Sequence, residues 1–185
     1  MANDYFKFKQ FLIRQDRCAM KVGTDGVLIG AWVHMGDAKN VLDIGTGTGL
    51  LALMMAQKSL ATVHAIEIES QAFEQATENI KASKWADRIV LHNVSLQKFN
   101  SQGLKFDLIV SNPPYFDNML QNADAKKSMA RHTQSLSFPE LVECATKLLS
   151  SNGRLSFIIP NTGYGKVEKL LFANNLFIKE IWLQN

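Results

Sequence analysis

The sequence predicts an α/β fold, a mostly parallel central sheet covered by helices on both faces. Two observations predict it. From Asn40 onward, short apolar runs alternate with segments of helical periodicity, the pattern of repeated strand–helix units. A glycine cluster, Gly45, Gly47 and Gly49, follows the first of these strands directly, where an open parallel sheet meets its ligands. With 185 residues, 46% apolar and 20% charged, the chain suits one ordinary globular domain.

Each element has its own signal. Tyr5–Ile13 alternates aromatic with basic or polar residues, so we expect a half-buried strand there. Lys21–Gly26 is a glycine-punctuated loop, and Asp25 is placed to cap a short apolar helix through Leu28, Ile29 and Trp32. Asn40–Ile44 reads as a strand, and Leu50–Gln57 as a helix apolar nearly all round and therefore buried. A strand over Thr62–Ile68 precedes a helix over Gln71–Ala82, with Ala72, Phe73, Ala76 and Ile80 on one face. Strands follow over Arg88–Val94 and Phe106–Val110. Ser137-Phe138-Pro139-Glu140 is a capping-box signature for a helix through Leu149, with Gly153 as its stop. Arg154–Ile159 is the next strand, Lys166–Ala173 a helix, and Phe177–Leu183 the sixth strand. Pro113–Gln134 is polar and weakly periodic; a loop of that length is expected to be a lid over a site.

Composition excludes several classes. Cys18 and Cys144 lie far apart, without metal-ligand spacing, and read as reduced thiols of a cytoplasmic protein. No apolar run approaches bilayer length and no charged-then-apolar leader opens the sequence, so no membrane partner is expected. His34, His64 and His92 read as structural, and no metal is expected. The net charge of +3 hints only weakly at a polyanionic partner.

The glycine segment narrows the ligand. Asp43-Ile44-Gly45-Thr46-Gly47-Thr48-Gly49 is neither the G-x-G-x-x-G dinucleotide fingerprint nor a Walker loop, which would end in Gly-Lys-Ser/Thr. An acid before the first glycine would repel a pyrophosphate. It suits a ligand with an ammonium and a sulfonium, such as S-adenosylmethionine. Glu67, at the end of the second core strand, is placed to accept from ribose hydroxyls, and Ile68 to pack on an adenine face.

Asn112-Pro113-Pro114-Tyr115 follows the Phe106–Val110 strand, at the same edge. Two prolines fix the backbone and remove two donors. The Asn112 side-chain carbonyl and the Pro113 carbonyl are then free to accept from a single NH₂ group, with Tyr115 as a stacking ring. Such a set favours the tetrahedral nitrogen that attacks a methyl group, through positioning and electrostatic preorganisation rather than a strong base.

Together, the glycine segment and Asn-Pro-Pro-Tyr resemble the amino-methyltransferases that modify adenine in nucleic acids or a glutamine amide in release factors. A narrower resemblance lies in Lys9-Gln10-Phe11, Asp16 to Trp32, Ser111 to Tyr115 and Ala130-Arg131-His132. These segments look like bacterial tRNA(Val) adenine-N6 methyltransferases. That resemblance implies a Rossmann-like class I methyltransferase fold and S-adenosylmethionine as cofactor, with S-adenosylhomocysteine as product. It implies the adenine 3′ of the anticodon as target. The sequence does not give the oligomeric state, and a monomer is the favoured expectation. Residues 1–35 would be an extension covering substrate and cofactor, with Lys21, Gly23, Thr24 and Asp25 over the methionine end, and residues 36–185 the core. In two respects the chain departs from the family pattern. Ser95 stands where an acid usually holds the cofactor's adenine amine. The family's seventh, antiparallel strand has no counterpart after Phe177–Leu183, so the C-terminal strand is expected to be missing.

Basic residues flank the expected catalytic mouth: Lys7, Lys9, Arg14, Arg17 and Lys21 before the core, and Lys126, Lys127, Arg131 and His132 after the Asn-Pro-Pro-Tyr motif. Charge of this sign at a site entrance suits a phosphate backbone. The favoured reading is a tRNA adenine methyltransferase. A protein glutamine-amide methyltransferase and a non-catalytic RNA-binding module remain as alternatives.

Overall fold

The computed structural model describes residues 3–18, 20–113 and 136–183. An N-terminal hairpin, β1 (Tyr5–Lys7) and β2 (Leu12–Arg14), leads into α1 (Thr24–Trp32). The core then runs β3 (Asn40–Ile44), α2 (Leu50–Lys58), β4 (Thr62–Glu67), α3 (Ser70–Lys81), β5 (Ile89–Asn93), β6 (Phe106–Ser111), α4 (Phe138–Leu148), β7 (Leu149–Phe157) and α5 (Tyr164–Ala173). The five core strands form one sheet in the order β5-β4-β3-β6-β7, and every neighbouring pair is parallel.

Period-two alternation along β3 sorts the two faces of this sheet. Val41 packs with the residues of α1, α2 and α3, together with Val63, Ala65 and Leu108. Leu42 and Ile44 point the other way, against Leu141, Val142 and Ala145 of α4 and Val167 and Leu171 of α5. Helix α2 buries Leu50, Leu51, Ala52, Leu53, Met55 and Ala56, as its all-round apolar sequence requires. The capping box of α4 is formed: the Ser137 hydroxyl accepts the Glu140 N–H, and Glu140 accepts the Ser137 N–H.

Four expectations are corrected. The Tyr5–Ile13 segment is not one strand but a hairpin pairing Tyr5 with Arg14, Phe6 with Ile13 and Lys7 with Leu12. Its turn is closed by the Phe8 N–H on the Phe11 carbonyl at 2.9 Å, which lets the Phe8 and Phe11 rings stack 4.5 Å apart. Asp25 does not cap α1. Gly23 holds the N-cap position in extended conformation, with no side-chain bond, and Asp25 lies in the first turn. Gly153 does not end α4, which stops at Leu148. It sits in β7, at an irregularity where Phe106 faces Leu149 but Leu108 already faces Arg154. A Cβ on Gly153 would lie 2.7 Å from the Phe106 carbonyl oxygen, so only glycine allows that approach. Lastly, Phe177–Leu183 forms no strand: among the described residues no neighbour pairs with it, and Phe177, Trp182 and Leu183 are exposed. Strand propensity is expressed only where a partner completes the ladder.

The chain leaves β3 for β4 and β5, then crosses back to place β6 on the other flank of β3. The order therefore reverses between β3 and β6, the place where open α/β sheets bind ligands.

Candidate active site

The glycine loop sits at that reversal. Gly45, Gly47 and Gly49 have φ of +71°, +55° and +85°, conformations that side chains rarely adopt. The Gly45 and Thr46 N–H groups both donate to the Ile66 carbonyl of β4, at 3.0 and 3.1 Å. Gly49, left-handed, is the N-cap of α2. A Cβ built on Gly45 would meet nothing within 4 Å, so the loop turns bare backbone toward open space.

Two carboxylates support the loop. Asp43 is fully buried, and its Oδ2 accepts the Thr46 hydroxyl and, at 3.0 Å, the Ala52 N–H in the first turn of α2. Its Oδ1 is buried without a partner among the described residues. Burial pushes the Asp43 carboxyl up to about 7, against the lowering by its bonds from Thr46 and Ala52; nearby Glu67 pushes it further up. Glu67 Oε2 accepts the Gly47 N–H at 2.8 Å, while Oε1 accepts the N–H groups of Ile68 and Glu69, both at 2.9 Å. Ile68 beside it is 45% exposed. Ser95 is half-buried just beyond β5 and opens a short 3₁₀ turn over Leu96–Lys98 without a side-chain capping bond.

At the end of β6, Ser111 donates its hydroxyl to the Ile44 carbonyl at 2.9 Å, locking β6 to β3 at the reversal. Asn112 and Pro113 follow at once. They line a cavity of about 200 Å³ together with Met20, Lys21, Gly23, Asp25 and Gly26. The sequence places these two groups far apart; the fold brings them to one cavity. A Cβ on Gly26 would stand 3.0 Å from Leu50 and 3.5 Å from Asn112 Nδ2, so α1 passes close over the asparagine. Thr24, at the start of α1, is exposed. Pro114, Tyr115, Lys126, Lys127, Arg131, His132 and the expected lid lie outside the described residues.

The N-terminal cations divide. Lys7, Lys9 and Arg14 are exposed and make no ion pair among the described residues. Arg17 pairs with Glu78 and, at 3.7 Å, with Glu74 on α3. Lys21 lies 3.3 Å from the Asn3 carbonyl and 3.9 Å from Asp4.

Sequence reasoning missed several positioning residues. Thr46, which restrains Asp43, lies inside the glycine motif and was there to be found. Asn79 carried no such signal. Nearly fully buried on α3, it accepts the Arg14 N–H and donates to both the Arg14 and Thr48 carbonyls, each at 2.9 Å. It thereby ties the hairpin to the glycine loop. His64 and His92, read as structural, touch each other: Nδ1 of His64 lies 3.2 Å from Nε2 of His92, with rings stacked between Phe106 and Phe99. Burial lowers the pKa of both, and the charge of His92 lowers that of His64 further. No group of three or more His, Cys, Asp or Glu among the described residues could hold a metal, and no helix there is long and apolar enough to cross a membrane.

Residues 23–175 match the family model of the methyltransferase small domain. A protein of Phocaeicola vulgatus named tRNA1(Val) (adenine(37)-N6)-methyltransferase is 52% identical over 163 residues, covering 88% of this chain and 69% of that one. Its namesake in Christiangramia forsetii is 46% identical over 188 residues, covering 98% and 78%. This chain belongs to their family. Among solved structures, the ribosomal protein L11 methylase of Lactobacillus delbrueckii subsp. bulgaricus superposes with a TM-score of 0.62 at 23% identity, covering 86% of this chain and 71% of that one. The precorrin-6y C5,15-methyltransferase of Geobacter metallireducens superposes with a TM-score of 0.59 at 14% identity, covering 85% and 76%. At such identities the likeness is one of fold: the Rossmann-like methyltransferase sheet with helices on both faces. The family methyltransferase thus has its glycine loop and its Asn112-Pro113 segment at one edge of that sheet.

Proposed function

We propose that this chain transfers a methyl group from S-adenosylmethionine to the N6 amine of an adenine in tRNA, the adenine 3′ of the anticodon of tRNA(Val). The observation that carries the reading is Asn112, which follows the end of β6 at the strand reversal and lines one cavity with the Lys21–Gly26 loop. The names of the family relatives favour adenine over a glutamine amide as acceptor.

The residues present fit the cofactor. Gly45 offers backbone next to open space, Asp43 keeps one buried acceptor oxygen without a partner among the described residues, and the charge of Glu67 adds to the cost of ionising Asp43. A cationic ligand relieves that cost. In this reading Asp43, Gly45, Gly47 and Gly49 form the cradle. Glu67 accepts from the ribose, Ile68 packs on the adenine, and Ser95 bonds its amine. Lys21, Gly23, Thr24 and Asp25 cover the methionine end, so residues 1–35 act as a covering extension to the core of residues 36–185.

When bound, the cofactor supplies an electrophilic methyl group. The Asn112 side-chain carbonyl and the Pro113 carbonyl accept the two N–H bonds of the target amine, turning its lone pair out of the ring and toward the methyl. Pro114 and Tyr115 complete the catalytic motif in this reading, with Tyr115 as the ring that stacks on the base. A target adenine in an anticodon loop must leave its stack to reach Asn112. Lys7, Lys9, Arg14, Arg17, Lys126, Lys127, Arg131 and His132 are the phosphate-facing set; Arg17 reaches it only by giving up Glu78 and Glu74. The protein works as a cytoplasmic monomer.

The test is methylation of unmodified tRNA(Val) by the wild type and by Asn112→Ala, with S-adenosylhomocysteine binding measured by calorimetry. N6-methyladenine is expected next to the anticodon with the wild type. Asn112→Ala is expected to lower kcat about a hundredfold or more, as loss of a preorganised polar group does, with ligand affinity retained. Wild-type protein that binds the ligand yet leaves the tRNA unmodified would sink the substrate assignment.

A further inference from the structure

Three of the phosphate-facing cations, Lys7, Lys9 and Arg14, sit together on the N-terminal hairpin. Strand pairing sets Tyr5 opposite Arg14 and Lys7 opposite Leu12, and residues two apart or directly opposite share a face. Phe6 and Ile13 share the opposite face, where Ile13 is fully buried and Phe6 remains 43% exposed. The outer face therefore presents one aromatic ring and one apolar side chain, Tyr5 at 50% and Leu12 at 37% exposure, between the cations Lys7 and Arg14. Lys9 adds a third cation in the turn. The nearby acids are Asp4, which lies 3.9 Å from Lys21, and Asp16, whose charge acts on Arg17. The platform is rigid: Phe11 and Ile13 belong to the main core, and Asn79 holds both the N–H and the carbonyl of Arg14 at 2.9 Å.

We propose that the outer face of the hairpin docks a single strand of RNA, with a base stacked on Tyr5 and phosphates held by Lys7, Lys9 and Arg14. An exposed ring set among cations that make no ion pair among the described residues is the make-up of a stacking platform beside a phosphate track, and its charge complements a polyanion rather than an apolar or basic partner. The proposal rests on the tRNA reading above and extends it to a surface. Through Asn79, which also holds the Thr48 carbonyl, the docked strand is one side chain away from the glycine loop.

Fluorescence anisotropy of the full chain with a labelled, unmodified anticodon stem-loop tests this, using Tyr5→Ala, Tyr5→Phe, Lys7→Gln and Arg14→Gln. Tyr5→Ala is expected to weaken RNA binding by about fivefold or more, and Tyr5→Phe to bind as wild type, because the ring face carries the stacking. Each charge variant is expected to lower the slope of log affinity against log salt by about 0.7. Calorimetry with S-adenosylhomocysteine is expected to give wild-type affinity for all four, reporting an intact fold. Stem-loop methylation by wild type, with RNA binding unchanged in the variants, overturns the platform and leaves the tRNA reading standing. Wild type that neither binds nor methylates RNA, or that methylates a protein instead, overturns both.

Discussion

Glu67, at the tip of β4, accepts the N–H of Gly47 at 2.8 Å, twenty residues away in the chain. The acid proposed to hold the ribose therefore also fixes the middle glycine of the cradle. Its other oxygen is engaged by Ile68 and Glu69, so the carboxylate is held in one orientation before any ligand arrives. Glu67→Ala is expected to abolish micromolar binding of S-adenosylhomocysteine in calorimetry. Glu67→Gln, which keeps one acceptor, is expected to lose about ten- to a hundredfold, the usual worth of a charge-assisted hydrogen bond.

Gly45 and Gly49 separate backbone strain from ligand space. Both have positive φ, so Gly45→Ala and Gly49→Ala are each expected to cost about 1–2 kcal/mol of stability by urea denaturation. A Cβ at Gly49 meets Ala76 and Ile80 at ordinary distances, whereas one at Gly45 enters the open space before the loop. Only Gly45→Ala is then expected to weaken cofactor binding strongly. Equal loss in the two variants would mean that the ligand does not approach Gly45.

Asp43 gives a pH signature. Its folded pKa of about 7 stands above the ordinary 3.8, so between these values the folded protein keeps a proton that the unfolded chain has released. The Asp43 contribution to stability therefore falls as pH rises from about 4 to about 7, and is fully lost above that window. Asp43→Asn is expected to flatten this part of the stability profile, read by thermal melts at intervals across the window. Binding of S-adenosylhomocysteine, whose ammonium favours the ionised carboxylate, is expected to release a proton just below pH 7, seen as a buffer-dependent calorimetric enthalpy.

Asn79 joins three backbone groups of two separate segments. Asn79→Ala leaves the Arg14 N–H and the Arg14 and Thr48 carbonyls to find new partners, at a cost of about 2–4 kcal/mol for a buried cluster. Hydrogen exchange is expected to rise in both the hairpin and residues 45–49. A rise confined to the hairpin would show that the glycine loop is held without it.

Much of this molecule was legible in one dimension. Periodicity is a local property, so the strands and helices from Asn40 to Phe106 and the capping box at Ser137 could be read directly. Glycines placed straight after a strand, and prolines placed after another, mark the loops at the carboxyl edge for the same reason. Pairing is not local. Whether Tyr5–Ile13 stays one strand depends on whether its own second half folds back on it, and whether Phe177–Leu183 becomes a strand depends on an available edge. Gly153 looked like a helix stop because only the neighbouring β6 carbonyl explains it.

The sequence by itself determined the parallel α/β architecture, the family, and the edge at which the glycine loop and Asn112 meet, because periodicity, backbone permissiveness and motif order are written residue by residue. Tertiary structure alone decided that Asp43 is buried with one oxygen unpartnered among the described residues, that Arg17 pairs with α3 while Lys7 and Arg14 make no ion pair among those residues, and that Asn79 clamps the hairpin to the loop. Those outcomes turn on burial and on partners distant in the chain, and a side chain's chemistry is fixed by what it touches.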